Sequence, residues 1–355
     1  MSKRFIAPWK DSTTKPAIYH CISRVVERRF AFGAEEREAF RMFMRMQENF
    51  SGCRVLSYCV MSNHFHILLE VPPMQEEGIS DGELLKRLAA INSEAFVATV
   101  AKELGEARAE DDGARVAEIH ARFTYRMHNL SEYMKTVLQR FTRWFNRTHG
   151  RTGTLWEERY KSVIVESGTA ARTMAAYIDL NPVRAGMVED PAEYRWSGYG
   201  EAVGGGRKGN GKKAREGLVR ACMSGDDVGF EAERWNDISR IYRRAMGFAL
   251  GRKSGWGAAS AGKVQSNLNT AEALEKGDGS TALKELGMAK MLRCRVRYFT
   301  DGAVIGSKEF VNEAFAGARE RFSEKRKDGA RRLRGDAKAA AGTLWSLRDL
   351  QVGIG

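Results

Sequence analysis

No apolar run in these 355 residues is long enough to span a bilayer, which excludes a membrane-crossing helix. The opening Met-Ser-Lys-Arg-Phe-Ile-Ala-Pro has no apolar stretch of the kind a secretory signal needs. Cysteines are few: Cys21, Cys53, Cys59, Cys222 and Cys294 are odd in number, and none forms a Cys-x-x-Cys pair. That argues against a zinc knuckle or a disulfide framework and leaves reduced thiols in a cytoplasm. Acid is also short, with 45 Asp and Glu against 58 Lys and Arg, for a net charge of +13. Such an excess implies a polyanionic partner, with nucleic acid the first candidate. The expected setting is cytoplasmic and nucleoid-associated. Apolar residues make up 43% of the chain, enough to bury a core.

What is present centres on His64-Phe-His66-Ile-Leu-Leu-Glu70-Val71. The period of two predicts a strand with Phe65, Ile67, Leu69 and Val71 on one face and His64, His66, Leu68 and Glu70 on the other. Two neutral imidazoles at i and i+2 can grip one metal ion; the alternative is a pair of unrelated, partly solvated histidines. Downstream, Tyr177 and Asn181 in Ala-Ala-Tyr177-Ile-Asp-Leu-Asn181-Pro182 share a helical face one turn apart. Pro182 biases Asn181 out of the helical region, so the helix is expected to end there. Each also has an ordinary reading, Tyr177 as a core aromatic and Asn181 as a helix cap.

Taken together, Met61-Ser-Asn-His64-Phe-His66, Gly153-Thr-Leu-Trp-Glu-Glu-Arg159-Tyr-Lys161-Ser162, Tyr177-Ile-Asp-Leu-Asn181-Pro-Val-Arg184-Ala-Gly186 and Asp190-Pro-Ala-Glu-Tyr194-Arg-Trp196-Ser resemble the HUH family of single-strand transposases. The nearest branch is the one-tyrosine transposases and their REP-associated relatives, and the resemblance covers roughly the first 200 residues. It implies a metal-dependent single-stranded DNA endonuclease and strand transferase. His64, His66 and Asn181 would hold magnesium or manganese, and Tyr177 would form a 5′-phosphotyrosine. The implied substrate is single-stranded or hairpin DNA, and the implied state a monomer or homodimer. Arg143, Arg159, Lys161 and Arg184 are the expected DNA contacts. Trp156, Tyr160, Tyr194, Trp196 and Tyr199 lie among cations and suit base stacking, with closure of the core as the alternative for the two tryptophans.

In chain order, strands are expected at residues 17–26, 53–60, 64–71 and 155–166, and helices at 35–50, 130–148 and 169–180. The order predicts an α+β fold: a ferredoxin-like or RRM-like antiparallel sheet with helices on one face. Residues 73–128 read as a helical insertion, with helices at 81–104 and 114–127. The transposase domain would span 1–203. Gly204-Gly-Gly-Arg-Lys-Gly-Asn-Gly-Lys-Lys opens a flexible basic linker, 204–217. Residues 218–355 would be an auxiliary α/β extension suited to DNA binding. It has a helix at 231–250, an irregular stretch at 251–279, a hairpin turning on Asp301-Gly302, a helix at 307–321 and a basic run at 323–335. Two alternatives stand beside the nuclease. One is a domesticated DNA-binding protein that no longer transposes. The other is a histidine-triad hydrolase, which Leu68 disfavours by standing where a third alternating histidine belongs.

Overall fold

A computed structural model describes residues 5–73, 77–204, 211–223, 234–249, 297–333 and 344–348. Among the described residues seven strands form one sheet: β1 Ala17–Arg24, β2 Arg54–Val60, β3 His64–Val71, β4 Lys161–Val165, β5 Val304–Gly306, β6 Arg331–Arg332 and β7 Trp345–Leu347. Their spatial order is β2-β3-β1-β4-β5-β7-β6. β1 runs antiparallel to both β3 and β4, and β2 antiparallel to β3. The last three strands join through a parallel pairing of β5 with β4. His66 lies opposite Ile22 of β1 on one side and Cys59 of β2 on the other, so it is held mid-sheet.

The helices are α1 Ala34–Ser51, α2 Asp81–Ala89, α3 Glu94–Ala109, α4 Gly113–Thr124, α5 Leu130–Thr148, α6 Thr169–Asp179, α7 Asn181–Arg184, α8 Gly198–Gly204, α9 Lys212–Cys222, α10 Trp235–Ala249, α11 Arg297–Thr300 and α12 Lys308–Ala316. The chain is therefore α+β, as its pattern predicts. Phe65, Ile67, Leu69 and Val71 of β3 pack against Phe40 and Met44 of α1 and the apolar stripe of α5. Asn129 starts α5 by accepting hydrogen bonds from the backbone of Ser131 and Glu132 through its side chain. Helices cover the second face as well. There Leu68 packs with α6, α9 and α10 through Met174, Ala175, Leu218, Tyr242 and Met246. The two histidines lie on this second side.

Several boundaries differ from the sequence reading. The insertion holds three helices, because Ser93 caps a new helix by accepting from the Phe96 amide. Those helices bury Leu84, Leu88, Val100, Leu104 and Ile119 with Phe50 from the end of α1. β4 begins only at Lys161, so Arg159 sits in the preceding loop; Trp156 bridges to Val25 instead of extending the strand. Asn181 does not leave the helical region. α6 ends at Asp179, Leu180 keeps φ −84° and ψ −7°, and Asn181 opens α7. Pro182 then falls in a first turn, where its missing N–H costs nothing.

Residues 212–217, placed in a flexible linker, are instead the first turns of α9, which buries Ala214, Gly217 and Leu218. Residues 297–300 form a helical turn, and Asp301-Gly302 leads from it into β5, which pairs with β4 and β7 in place of a local hairpin. The stretch 251–279 lies outside the described residues.

Candidate active site

β3 presents two imidazoles to the side that α6 covers. His66 is 3% exposed, and His64 is half-buried at the start of the strand. Their ring centroids lie 5.1 Å apart. Ala170, Ala171, Ala175 and Ala176 bury the inner side of α6 with small side chains that let the helix lie close to the sheet. Tyr177 thereby meets His66 edge-on, with ring centroids 5.9 Å apart. Two neighbouring strand residues and one distant helical residue form a single cluster.

Hydrogen bonds orient the imidazoles. His64 Nδ1 lies 2.7 Å from Asn63 Oδ1, and Asn63 Nδ2 donates to the Arg28 carbonyl at 3.0 Å. Because that carbonyl only accepts, the amide oxygen of Asn63 must face His64 and accept its Nδ1 proton. Neutral His64 is then left with a lone pair on Nε2. The Arg28 carbonyl comes from a turn in which Glu27 and Arg28 hold left-handed φ of 58° and 55°. Such residues cost roughly 1–2 kcal/mol each, a strain that here aims a carbonyl at the site. On the other ring, His66 Nδ1 lies 2.9 Å from Nε2 of His20 in β1, and His20 Nδ1 lies 2.8 Å from the Phe299 carbonyl of α11.

Burial sets the charges. It lowers the pKa of His64 to about 4, helped by the charge of Arg24, and that of His20 to about 4. His66 falls well below the usual histidine value, by burial first and then by its two histidine neighbours and Arg24 and Arg184. All three rings are neutral near pH 7. Burial pushes the Tyr177 phenol up to about 12, against the opposing pull of Arg184 and Arg24. The Arg184 guanidinium lies 5.0 Å from the centre of the Tyr177 ring, and Phe299 stacks on that ring at 4.6 Å.

The donor set fits a divalent ion only in part from protein. Among the described residues no group of three or more His, Cys, Asp or Glu could hold a metal. His64 offers its Nε2 lone pair and His66 the ring nitrogen not engaged with His20, and an oxygen ligand must complete the set. Asn181 turns its Nδ2 back onto the carbonyls of Tyr177 and Ile178. It makes no hydrogen bond to either imidazole among the described residues.

The expected DNA contacts divide. Arg184 adjoins Tyr177. Arg159 and Lys161 line a cavity of about 130 Å³ with Arg24, Arg28 and Asp301, and Arg24 is the register partner of His64. Arg143 is exposed on α5, across the sheet from Tyr177, and does not join them. The aromatics expected to stack on bases are spent on packing. Tyr160, Tyr194 and Tyr199 are buried, Trp156 packs among Phe32, Phe65 and Phe141, and Trp196 is half-buried against Tyr194. Phe30, two residues beyond Arg28, is 83% exposed.

Sequence reasoning missed His20, Asn63 and Phe299. Asn63 abuts the histidine pair, and His20 lies in a β-forming run, so alternation along β1 offered a signal for the latter. For Phe299 the local sequence offers none.

No curated protein matches the chain. A solved structure of a REP-associated tyrosine transposase bound to a REP hairpin is 14% identical, with a TM-score of 0.33, over 65% of this chain and 94% of that one. That likeness is too loose to carry a residue's role. The family model described as Transposase IS200 like matches residues 13–100. That stretch runs from β1 into the middle of α3, holds His20, Asn63, His64 and His66, and stops short of Tyr177. The likeness of this chain to the IS200-like transposase family thus rests on residues 13–100.

Proposed function

We propose that the protein is a single-tyrosine transposase that nicks one DNA strand, holds it on Tyr177 and passes it to a new 3′-hydroxyl. The observation that carries this reading is the meeting of the His64–His66 pair with Tyr177, ring to ring at 5.9 Å, in a chain with an IS200-like segment. The Tyr177 oxygen bonds to phosphorus as the bond from phosphorus to the 3′ oxygen breaks. The phenolic proton is lost, the departing oxygen gains one, and the products are a 5′-phosphotyrosine and a free 3′-hydroxyl. The ester keeps the bond energy, so attack by another 3′-hydroxyl rejoins the strand without ATP.

Magnesium or manganese, held by Nε2 of His64 and His66 and Oδ1 of Asn181, would polarise a non-bridging oxygen of the scissile phosphate. Arg184 and Arg24 favour the phenolate by charge. Arg28, Arg159 and Lys161 take neighbouring phosphates in their cavity, and Phe30 offers a face to an unpaired base. The substrate is single-stranded or hairpin DNA. A monomer suffices if Tyr177 works twice, and a homodimer supplies two tyrosines.

One observation favours a second reading, a DNA-binding protein that has given up transposition: Tyr177 is 2% exposed and covered by Phe299. The two readings separate on a denaturing gel after the full chain is incubated with manganese and end-labelled, hairpin-bearing single strands. The transposase gives a covalent protein–DNA band. Tyr177→Phe gives no band and retains DNA affinity within about twofold. A band from the variant moves the nucleophile elsewhere. No band from the parent protein leaves the binding reading.

A further inference from the structure

We propose that His20 is a positioning residue, which fixes His66 as the Nδ1–H tautomer and so turns the Nε2 lone pair of His66 toward the site. The inference rests on His66 serving the proposed reaction as a ligand. The order of donors along the chain of contacts leaves one arrangement. The Phe299 carbonyl only accepts, so His20 Nδ1, 2.8 Å away, must carry a proton. His20 is wholly buried, and among the described residues neither nitrogen meets a carboxylate that would compensate a positive ring. Its Nε2 is then bare and accepts from His66 Nδ1 at 2.9 Å. The two rings lie within 18° of parallel, as diagonal neighbours on β1 and β3, where His20 is opposite Leu68 and Ile22 opposite His66.

His20 cannot itself be a ligand, because both its nitrogens are engaged. Its work is to stop His66 from placing a proton where a lone pair is needed. Partners of this kind hold a ligating imidazole in one tautomer and one plane, and losing them costs about 10- to 100-fold in metal affinity. The carbonyl that anchors this lock belongs to α11, so a helical turn far along the chain takes part in tuning a residue of the IS200-like segment.

The test uses the full chain with histidine labelled by nitrogen-15, first without metal. Two-bond nitrogen–proton correlations distinguish the tautomers of a neutral imidazole. The expected result is His20 and His66 both protonated at Nδ1. In His20→Phe, His66 loses that preference, and the dissociation constant for manganese rises about 10- to 100-fold. In His20→Gln, whose amide oxygen replaces the Nε2 acceptor, the tautomer returns and manganese binding recovers to within about threefold. A merely space-filling role predicts the opposite order, with phenylalanine the better substitute. Finding His66 protonated at Nε2 in the parent protein overturns the proposal, as does His20→Phe with unchanged manganese affinity. If His20→Phe fails to fold, the parent tautomer and the glutamine variant decide. The expected tautomers in a protein that forms no DNA adduct would retain the lock and remove the transposase reading instead.

Discussion

Asp179 sits two residues after the proposed nucleophile, yet its side chain points the other way, into the core. It accepts hydrogen bonds from Ser57 Oγ at 3.2 Å, Tyr242 Oη at 2.6 Å and the Tyr199 amide at 2.9 Å, so it ties α6 to β2, α8 and α10. Burial outweighs these bonds and raises its pKa to about 7. A folded pKa above the unfolded one gives stability that is complete below the unfolded value and is lost as pH rises through the folded value. From pH 5 to pH 8 this group should therefore remove about 2–3 kcal/mol of stability. Asp179→Asn, whose amide can serve the same hydroxyls, should cancel that contribution; urea unfolding of both proteins at the two pH values checks it. Alternation puts His64 and His66 on one face of a strand and helical spacing puts Tyr177 a turn from Asn181, but that they form one centre is what the family resemblance implies, since each has an ordinary reading by itself. The sequence says little about Asp179 or His20, because one polar residue inside an apolar run carries no mark of the neighbours it will meet.

Helix α9 shows why an element can escape a reading by composition. It follows a run rich in glycine and lysine, and its helical character rests on what Ala214, Gly217, Leu218 and Ala221 touch on β2 and α6. At Gly217 an added Cβ would lie 2.3 Å from the Val55 carbonyl oxygen and 2.9 Å from that of Leu56. Gly217→Ala should push the helix off the sheet and destabilise the fold by about 1–3 kcal/mol, read as a lower denaturant midpoint with an unchanged slope. β3 and α5 were legible to the residue, since strict alternation and a continuous apolar stripe are local signals. The turn that separates α2 from α3 and the loop holding Arg159 were not, because a cap and a bridge to another strand decide them.

At the scale of the molecule, the sheet does not stop where the recognisable segment does. β6 and β7 are two or three residues long, too short for any periodicity to announce them, and β5, expected as one arm of a local hairpin, instead closes the exposed edge of β4. A chain ended after residue 203 would bare that edge together with the apolar surface that α9 and α10 cover. It should aggregate, seen as high-mass species in size exclusion with light scattering, whereas the full chain elutes as a defined species. A soluble fragment as heat-stable as the full chain would contradict this. The long reach from His20 to the carbonyl it needs also has a consequence in time. The two groups are 279 residues apart, so at 5–20 residues per second a ribosome takes roughly 14–56 s to deliver the second after the first. On the proposed reading, the nascent polypeptide would carry Arg24 and Arg28 through that interval with His66 not yet locked in its tautomer, so its centre would be weak in metal until α11 has been made.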